Sequence, residues 1–232
     1  MGDIIALVFD IDDTLYAERD YVFSGYDAVA EAFAARLPAK FDLAARMREL
    51  FDSPHRARVF NVILTEAGVP GDEVDTLAAE MVAAYRAHTP KIELLPEARD
   101  LLALLPTWVR LGVISDGYLI TQQQKAAALG LFNLMDEVIF TDAWGREFWK
   151  PHKRAFEEMA RRLHVPPAAC AYVSDNLAKD FVAANALGWT TVLVDRPERV
   201  YATAVAPAGG EPRHVVRVLT ELPDLLGLDG EG

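Results

Sequence analysis

Short apolar runs alternate with longer stretches of helical period along most of the chain, the signature of βαβ units and a parallel sheet. Strands are predicted over Ile4 to Asp10, Trp108 to Ser115, Glu137 to Thr141, Ala171 to Ser174 and Thr190 to Val194, with a weaker one over His214 to Val218. These runs are continuously apolar, as strands covered on both faces should be. Helical pattern fills Glu97 to Leu105, Leu119 to Leu129, Lys153 to Leu163, Leu177 to Leu187 and Glu221 to Leu226, so right-handed crossovers are expected. The rhythm breaks once. From Tyr21 to about Leu94 the pattern is amphipathic and helical, rich in Ala, Leu, Glu and Arg, and interrupted at Pro38, Pro54, Gly68-Val69-Pro70-Gly71 and Pro90. A helical insertion directly after the first strand is therefore expected. It would leave a discontinuous sheet domain, residues 1–20 and 95–232, around a helical segment, residues 21–94. No internal repeat is visible, and Pro207-Ala208-Gly209-Gly210 reads as a surface loop.

Composition narrows the choice of partner. At 232 residues, 52% of them hydrophobic, the chain can bury a sizeable core as one large domain or two small ones. Its 23 Lys and Arg against 35 Asp and Glu give a formal net charge of -12, which opposes a phosphate backbone or an anionic membrane, and no local basic stripe offsets it. Nucleic acid and membrane surfaces are thus poor partners. The single Cys170 excludes a disulfide framework, and no spaced Cys/His set suggests zinc. Met1-Gly2-Asp3 runs straight into Ile4-Ile5-Ala6-Leu7-Val8-Phe9 without a basic leader, and no run reaches the ~18 apolar residues of a bilayer span. The expected location is cytoplasmic, and the pattern is silent on oligomeric state.

Ligands of open α/β sheets bind beyond the carboxyl ends of the strands, and four of those ends carry unusual residues. The first closes in Asp10-Ile11-Asp12-Asp13-Thr14-Leu15. Side chains two apart share a face of extended chain, so Asp10 and Asp12 can enter one pocket. Carboxylates that close repel, and either one keeps a proton or a hard cation such as Mg2+ neutralises them; an Asp-rich helix cap is the alternative. The second run ends in Ser115-Asp116-Gly117, where a hydroxyl and backbone N–H groups suit a phosphate oxygen or an ordinary N-cap. After the third comes Lys150-Pro151; a Lys before Pro is driven to extended backbone that could aim it into a cleft, although most lysines are solvated surface charges. The fourth ends at Asp175, with Asp180 at or near the start of the next helix, where a carboxylate also favours the helix dipole. In a sheet of order 3-2-1-4-5, Asp175 would face Asp10 across the switch point.

These four stations, in this order, resemble the motifs of the haloacid dehalogenase-like hydrolase superfamily, and the likeness extends over the whole sheet domain. Asp10-Ile11-Asp12-Asp13-Thr14-Leu15 is similar to its first motif, Ser115 to its second, Lys150-Pro151 to its third, and Asp175 with Asp180 to its fourth. The resemblance implies a Rossmann-like three-layer α/β/α core with an inserted α-helical cap, and the presence of Asp12 implies a phosphatase or phosphomutase. It makes Asp10 the nucleophile, Asp12 the acid/base, and Mg2+ the cofactor, bound by Asp10, the backbone carbonyl of Asp12, and Asp175. Asp180 is placed with the metal group, as a ligand or as the residue that positions metal-bound water or Lys150. Ser115 and Lys150 would hold the phosphoryl oxygens, with Thr14, Asp116, Gly117 and the cap residues Arg56 and Arg58 assigned to substrate binding. Ser174 stands where the family often has Gly.

The function implied is Mg2+-dependent hydrolysis of a small phosphorylated metabolite through an aspartyl phosphate. A phosphomutase would use the same residues and return the phosphoryl group to a bound sugar. A receiver-type phosphoacceptor module also groups Asp, Ser/Thr and Lys around Mg2+, but it needs only a single domain of about 120 residues and carries its acceptor on a middle strand. Tyr16, Arg19, Tyr21 and Asn61 are further candidates for substrate choice, each with an equally ordinary reading as a solvated or core-edge side chain.

Overall fold

The computed structural model describes residues 3–37 and 39–228, so Met1, Gly2 and Pro38 lie outside the described residues. By internal contacts the chain divides into two compact units, one formed by Met1–Glu18 and Ile92–Gly232, the other by Arg19–Lys91. In chain order the elements are β1 (Ala6–Phe9), α1 (Glu18–Phe33), α2 (Leu43–Phe51), α3 (Val59–Glu66), α4 (Gly71–Ala87), α5 (Pro96–Leu104), β2 (Arg110–Ser115), α6 (Leu119–Ala128), α7 (Leu131–Leu134), β3 (Glu137–Phe140), α8 (Arg154–Leu163), β4 (Cys170–Ser174), α9 (Val182–Ala186), β5 (Thr190–Val194), β6 (His214–Val216) and α10 (Leu222–Leu226).

The first unit is built on a six-stranded sheet of order β3-β2-β1-β4-β5-β6, every pair parallel. The expected order 3-2-1-4-5 is thus extended by the weak last run, which adds an edge strand beside β5. All four residues of β1 and all five of β4 and β5 are buried, which is why they read as unbroken apolar runs. Helix α8 shows how a face is covered. Ala155, Phe156, Met159, Ala160 and Leu163 form its buried stripe, and Phe156 meets Tyr172 of β4 and Trp189 edge-on at 4.9 and 5.5 Å. Gly112 of β2 permits that approach, since a Cβ there would stand 2.7 Å from the Met159 sulfur.

One expected helix is shorter than its pattern. Leu177 to Leu187 contains only α9, with a turn over residues 177–181. The Asn176 side chain accepts the Ala178 N–H at 3.0 Å, and the Asp180 carboxylate is drawn inward by the Ser174 hydroxyl and by Lys150. Those local bonds compete with helix formation and win over the first turn.

The second unit contains helices only. The Asp42 side chain caps α2 by accepting the Ala45 N–H at 3.0 Å, and Met47, Ile63, Leu64 and Met81 form its buried centre. Among the described residues no helix is long and apolar enough to cross a membrane.

Candidate active site

At the carboxyl end of the sheet, the loops after β1, β2, β3 and β4 enclose a cavity of about 230 Å³ that Asp10, Asp12, Asp116, Gly117, Trp149 and Asp175 help to line. The chain leaves β1 still in the ladder, with the Asp10 N–H donating to Val173 O at 3.0 Å. It then turns at Asp13, which adopts a left-handed φ of 50°. The Asp13 carboxylate accepts the N–H groups of Glu18 at 2.8 Å and Val200 at 2.6 Å, while Arg196 donates to the carbonyls of Asp13 at 2.6 Å and Thr14 at 3.2 Å. The loop bearing Asp10 and Asp12 is therefore anchored on two sides.

Both carboxylates reach the cavity, as their spacing predicts, yet they face different partners. Lys150 has a fully buried side chain and directs its ammonium to Asp10 Oδ1 at 2.6 Å, Asp180 Oδ1 at 2.9 Å and the Tyr172 hydroxyl at 2.9 Å. With its side chain enclosed among these acceptors, Lys150 in this arrangement lies beneath the carboxylates and does not line the cavity. Asp12 instead accepts from Lys125 Nζ at 2.6 Å, from Gln122 Nε2 at 3.3 Å and from the Tyr16 hydroxyl. The Lys150–Pro151 peptide bond is cis.

Electrostatics separate the two further. Burial pushes Asp10 up to about 7, with Lys150 opposing and Asp180 adding to the rise. Burial also acts on Asp12, but the charge and hydrogen bond of Lys125 outweigh it and hold Asp12 below the usual carboxylate range. Lys150 is pulled down by burial and carried well above its ordinary value by Asp10 and Asp180; it is a cation throughout the neutral range. Among the described residues no Lys or Arg pairs with Asp175. Burial first, then the charges of Asp10 and Asp180, push it up to about 9, and its Oδ2 is buried without a hydrogen-bond partner.

Asp10, Asp175 and Asp180 each offer a carboxylate oxygen within 4.8 Å of the others. An all-oxygen donor set with two buried oxygens, Asp175 Oδ2 and Asp180 Oδ1, that accept no hydrogen bond fits a hard divalent cation. The carboxylate of Asp12 is committed to Lys125, which leaves its backbone carbonyl as its means of contact. Asp180 Oδ2 accepts from the Ser174 hydroxyl, while its Oδ1 pairs with the Lys150 charge at 2.9 Å without a hydrogen bond. Serine in place of the family's glycine thus orients Asp180.

The other expected substrate contacts separate on inspection. Ser115 is buried and donates its hydroxyl to Gln122 Oε1 at 3.0 Å. Asp116 lines the cavity, but its carboxylate accepts from Thr141 Oγ1 at 2.7 Å, the Lys150 N–H at 3.1 Å and Lys179 Nζ at 2.7 Å. A saturated carboxylate offers nothing to an anion, and Asp116 ties the second, third and fourth strand ends together instead. Thr14 is fully buried and is not among the residues that line the cavity. Gly117 lines it, with φ at 121°. Arg56 and Arg58 belong to the helical unit and are exposed; the Arg56 guanidinium lies 4.1 Å from the Phe51 ring centre. Arg19 pairs with Asp52 at 2.7 Å, Asn61 donates to Asp75 at 3.0 Å, and Tyr21 stacks edge-on to Tyr85.

Sequence reasoning missed Gln122, Lys125 and Lys179, all on the cavity wall. A signal for the first two was present: Leu119, Gln122, Lys125, Ala126 and Leu129 share the apolar stripe of a helix, so two polar residues occupy core positions.

The raised Asp175 has a measurable consequence in chelating buffer. Its folded value of about 9 lies above the ordinary 3.8, so between those limits the folded state keeps a proton that the unfolded state has lost. The stability it contributes is full below pH 3.8 and falls as pH rises towards 9. Urea unfolding across that range should show Asp175→Asn losing less stability than the wild type as pH rises; parallel curves would contradict the assignment.

Comparison with known proteins agrees with this geometry. Residues 4–188 match the family model of the haloacid dehalogenase-like hydrolases. The chain is 32% identical over 205 residues to a glyceraldehyde 3-phosphate phosphatase of Methanopyrus kandleri, covering 83% of this chain and 84% of the relative. It is 30% identical over 247 residues to a ribulose-1,5-bisphosphate 5-phosphatase of Halopiger xanaduensis, covering 95% and 98%. A Bacillus subtilis HAD-hydrolase solved bound to magnesium shares the fold at a TM-score of 0.67 and 20% identity, over 97% of this chain and 99% of that one. With the strand-end acids, the buried lysine and a family match over most of its length, the chain belongs to the haloacid dehalogenase-like hydrolases.

Proposed function

We propose that the protein is a Mg2+-dependent phosphatase of small phosphorylated metabolites, acting through a phosphoryl group carried on Asp10. The observation that carries this reading is the pairing of Asp10, held by the buried Lys150 at 2.6 Å, with Asp175, whose carboxylate oxygen has no partner of its own. Asp10 and Asp175 with the carbonyl of Asp12 would hold the cation, and Asp180 would fix Lys150 behind them. When bound, Mg2+ supplies positive charge that offsets repulsion between Asp10 and the phosphoryl oxygens.

The residues then divide the work. An Asp10 carboxylate oxygen attacks phosphorus, the P–O bond to the leaving alcohol breaks, and Asp12 gives that oxygen its proton. An approaching phosphate dianion raises the proton affinity of Asp12, which works against the hold of Lys125. In the second half, Asp12 takes a proton from water as the water oxygen displaces Asp10, and inorganic phosphate leaves. Lys179, drawn down by burial and by Lys150 but raised overall by Asp180, Asp116 and Asp10, presents a cation on the cavity wall. It suits the transferring oxygens better than the buried Lys150 does.

The named phosphatases among the relatives, and a cavity of about 230 Å³ walled by Trp149, Tyr201, Asn176 and Glu18, favour a compact hydroxylated substrate such as a sugar phosphate. The helical unit Arg19–Lys91 is proposed to be the cap that sets this choice, with Arg56 and Arg58 contributing to it. Phosphate release from a panel of sugar and triose phosphates should require Mg2+ and stop in excess chelator. Asp175→Asn should raise the Mg2+ concentration needed for half-maximal rate by about tenfold or more. Full activity in chelator would overturn the metal assignment.

A further inference from the structure

Helix α6 brings two buried polar side chains to the cavity wall, Gln122 and Lys125, that the roles above leave unused. Gln122 and Lys125 are 3% and 4% exposed, and a lysine so enclosed is costly unless a charge compensates it. Asp12 is that charge, at 2.6 Å. The surroundings are shaped around the contact. Gly117, in the turn that starts the helix, has φ of 121°, and a Cβ there would stand 2.6 Å from Gln122 Nε2, so only glycine leaves the amide its place. Ser115 donates its hydroxyl to Gln122 Oε1 at 3.0 Å, which turns the amide so that Nε2 faces Asp12 Oδ2 at 3.3 Å. The Tyr16 hydroxyl reaches the same carboxylate from the loop after β1.

We propose that Lys125, supported by Gln122, is a positioning residue that fixes the Asp12 carboxylate where it meets the leaving-group oxygen, and that Gln122 ties this orientation to Ser115 on the neighbouring strand end. Asp12 has 23% of its side chain exposed, and without the tether it is held less firmly beside Asp10, a like charge two residues away, by the Tyr16 hydroxyl. A proton donor misplaced by an ångström loses much of its effect. The inference rests on Asp12 being the acid/base.

The test reads dependence on the leaving group. Wild type, Asp12→Asn, Lys125→Met, Lys125→Arg and Gln122→Met are compared on aryl phosphates of graded acidity and on an alkyl phosphate, with thermal unfolding as a control for folding. Lys125→Met should lower kcat/KM on the alkyl phosphate by about 100-fold and on p-nitrophenyl phosphate by less than about tenfold, because kcat/KM reports the transfer to Asp10 and a good leaving group needs little protonation there. The value of kcat should fall on both substrates, since the same carboxylate activates water in the second step. Lys125→Arg should recover part of the loss, and Gln122→Met should show the same steepening to a smaller degree. If Lys125→Met does not fold, the Gln122→Met profile decides.

Equal losses of kcat/KM on every substrate, or a rise in KM with kcat unchanged, would overturn the proposal; the second result would make Lys125 a substrate-binding cation. Asp12→Asn separates the layers. If its profile steepens and that of Lys125→Met does not, the positioning role alone fails. If its own losses of kcat/KM are uniform, the acid/base reading fails and takes this inference with it.

Discussion

Asp10→Asn should bring turnover to the uncatalysed background while leaving the protein folded. Asparagine keeps the shape of the side chain and an oxygen that can accept from Lys150, which stands 2.6 Å from Asp10 Oδ1. It lacks the charge and nucleophilicity required to form an acyl phosphate. A neighbouring carboxylate cannot substitute. Asp12 is held by Lys125, Gln122 and Tyr16, and Asp180 is held by Lys150 and Ser174 with its side chain wholly buried. Phosphate release and thermal unfolding measured on one preparation check both halves of the expectation. A folded variant retaining more than about one part in a thousand of the wild-type rate would point to another nucleophile.

Lys150→Met should fail differently, in stability as well as rate. The ammonium stands between Asp10 and Asp180, and the lysine and Asp180 side chains have no exposure at all. Removing the cation leaves two buried carboxylates confronting each other without compensation, a change that typically costs about 3–5 kcal/mol. The exposed pair Arg161–Glu158, at 2.7 Å with the arginine 69% exposed, provides the contrast, since solvent screens such a contact and breaking it costs little. Urea unfolding of Lys150→Met and Arg161→Met at neutral pH in chelating buffer would measure the difference. Near-equal losses would mean that Asp10 or Asp180 already carries a proton. Excess Mg2+ should restore part of the stability of Lys150→Met, by placing positive charge among the same carboxylates.

Much of the sheet was legible in the chain because β1, β4 and β5 are buried on both faces, and burial on both faces leaves no choice but an apolar run. The four strand-end stations were legible for a related reason. Carboxylates, a lysine and a serine have no place at the end of an apolar strand unless the fold or the chemistry requires them. What escaped were partnerships set by tertiary structure. Asp12 and Lys125 are 113 positions apart, and Asp13 and Val200 are 187 apart; neither separation leaves a local trace.

Lys150 was legible as a cation for the site, but its depth was not. Whether an ammonium meets solvent or three buried acceptors depends on Tyr172 and Asp180, which only the fold brings beside it. The shortened α9 is the same lesson in the backbone. The apolar spacing of Leu177 to Leu187 is helical, yet Asp180 is worth more turned inward to Ser174 and Lys150 than kept in a helical turn.

The most direct test of Asp10 as the phosphoryl carrier is the intact mass of Asp12→Asn after rapid acid quench from an activated aryl phosphate in Mg2+. That variant keeps the nucleophile and lacks the base that activates water, worth roughly 10²- to 10⁴-fold, so the intermediate should accumulate. One added phosphoryl group, mapped to Asp10 and absent when Asp10→Asn is introduced alongside, is the expected result. A quenched Asp12→Asn protein that turns over substrate yet carries no phosphoryl group, or carries it at another residue, would contradict phosphoryl transfer through Asp10.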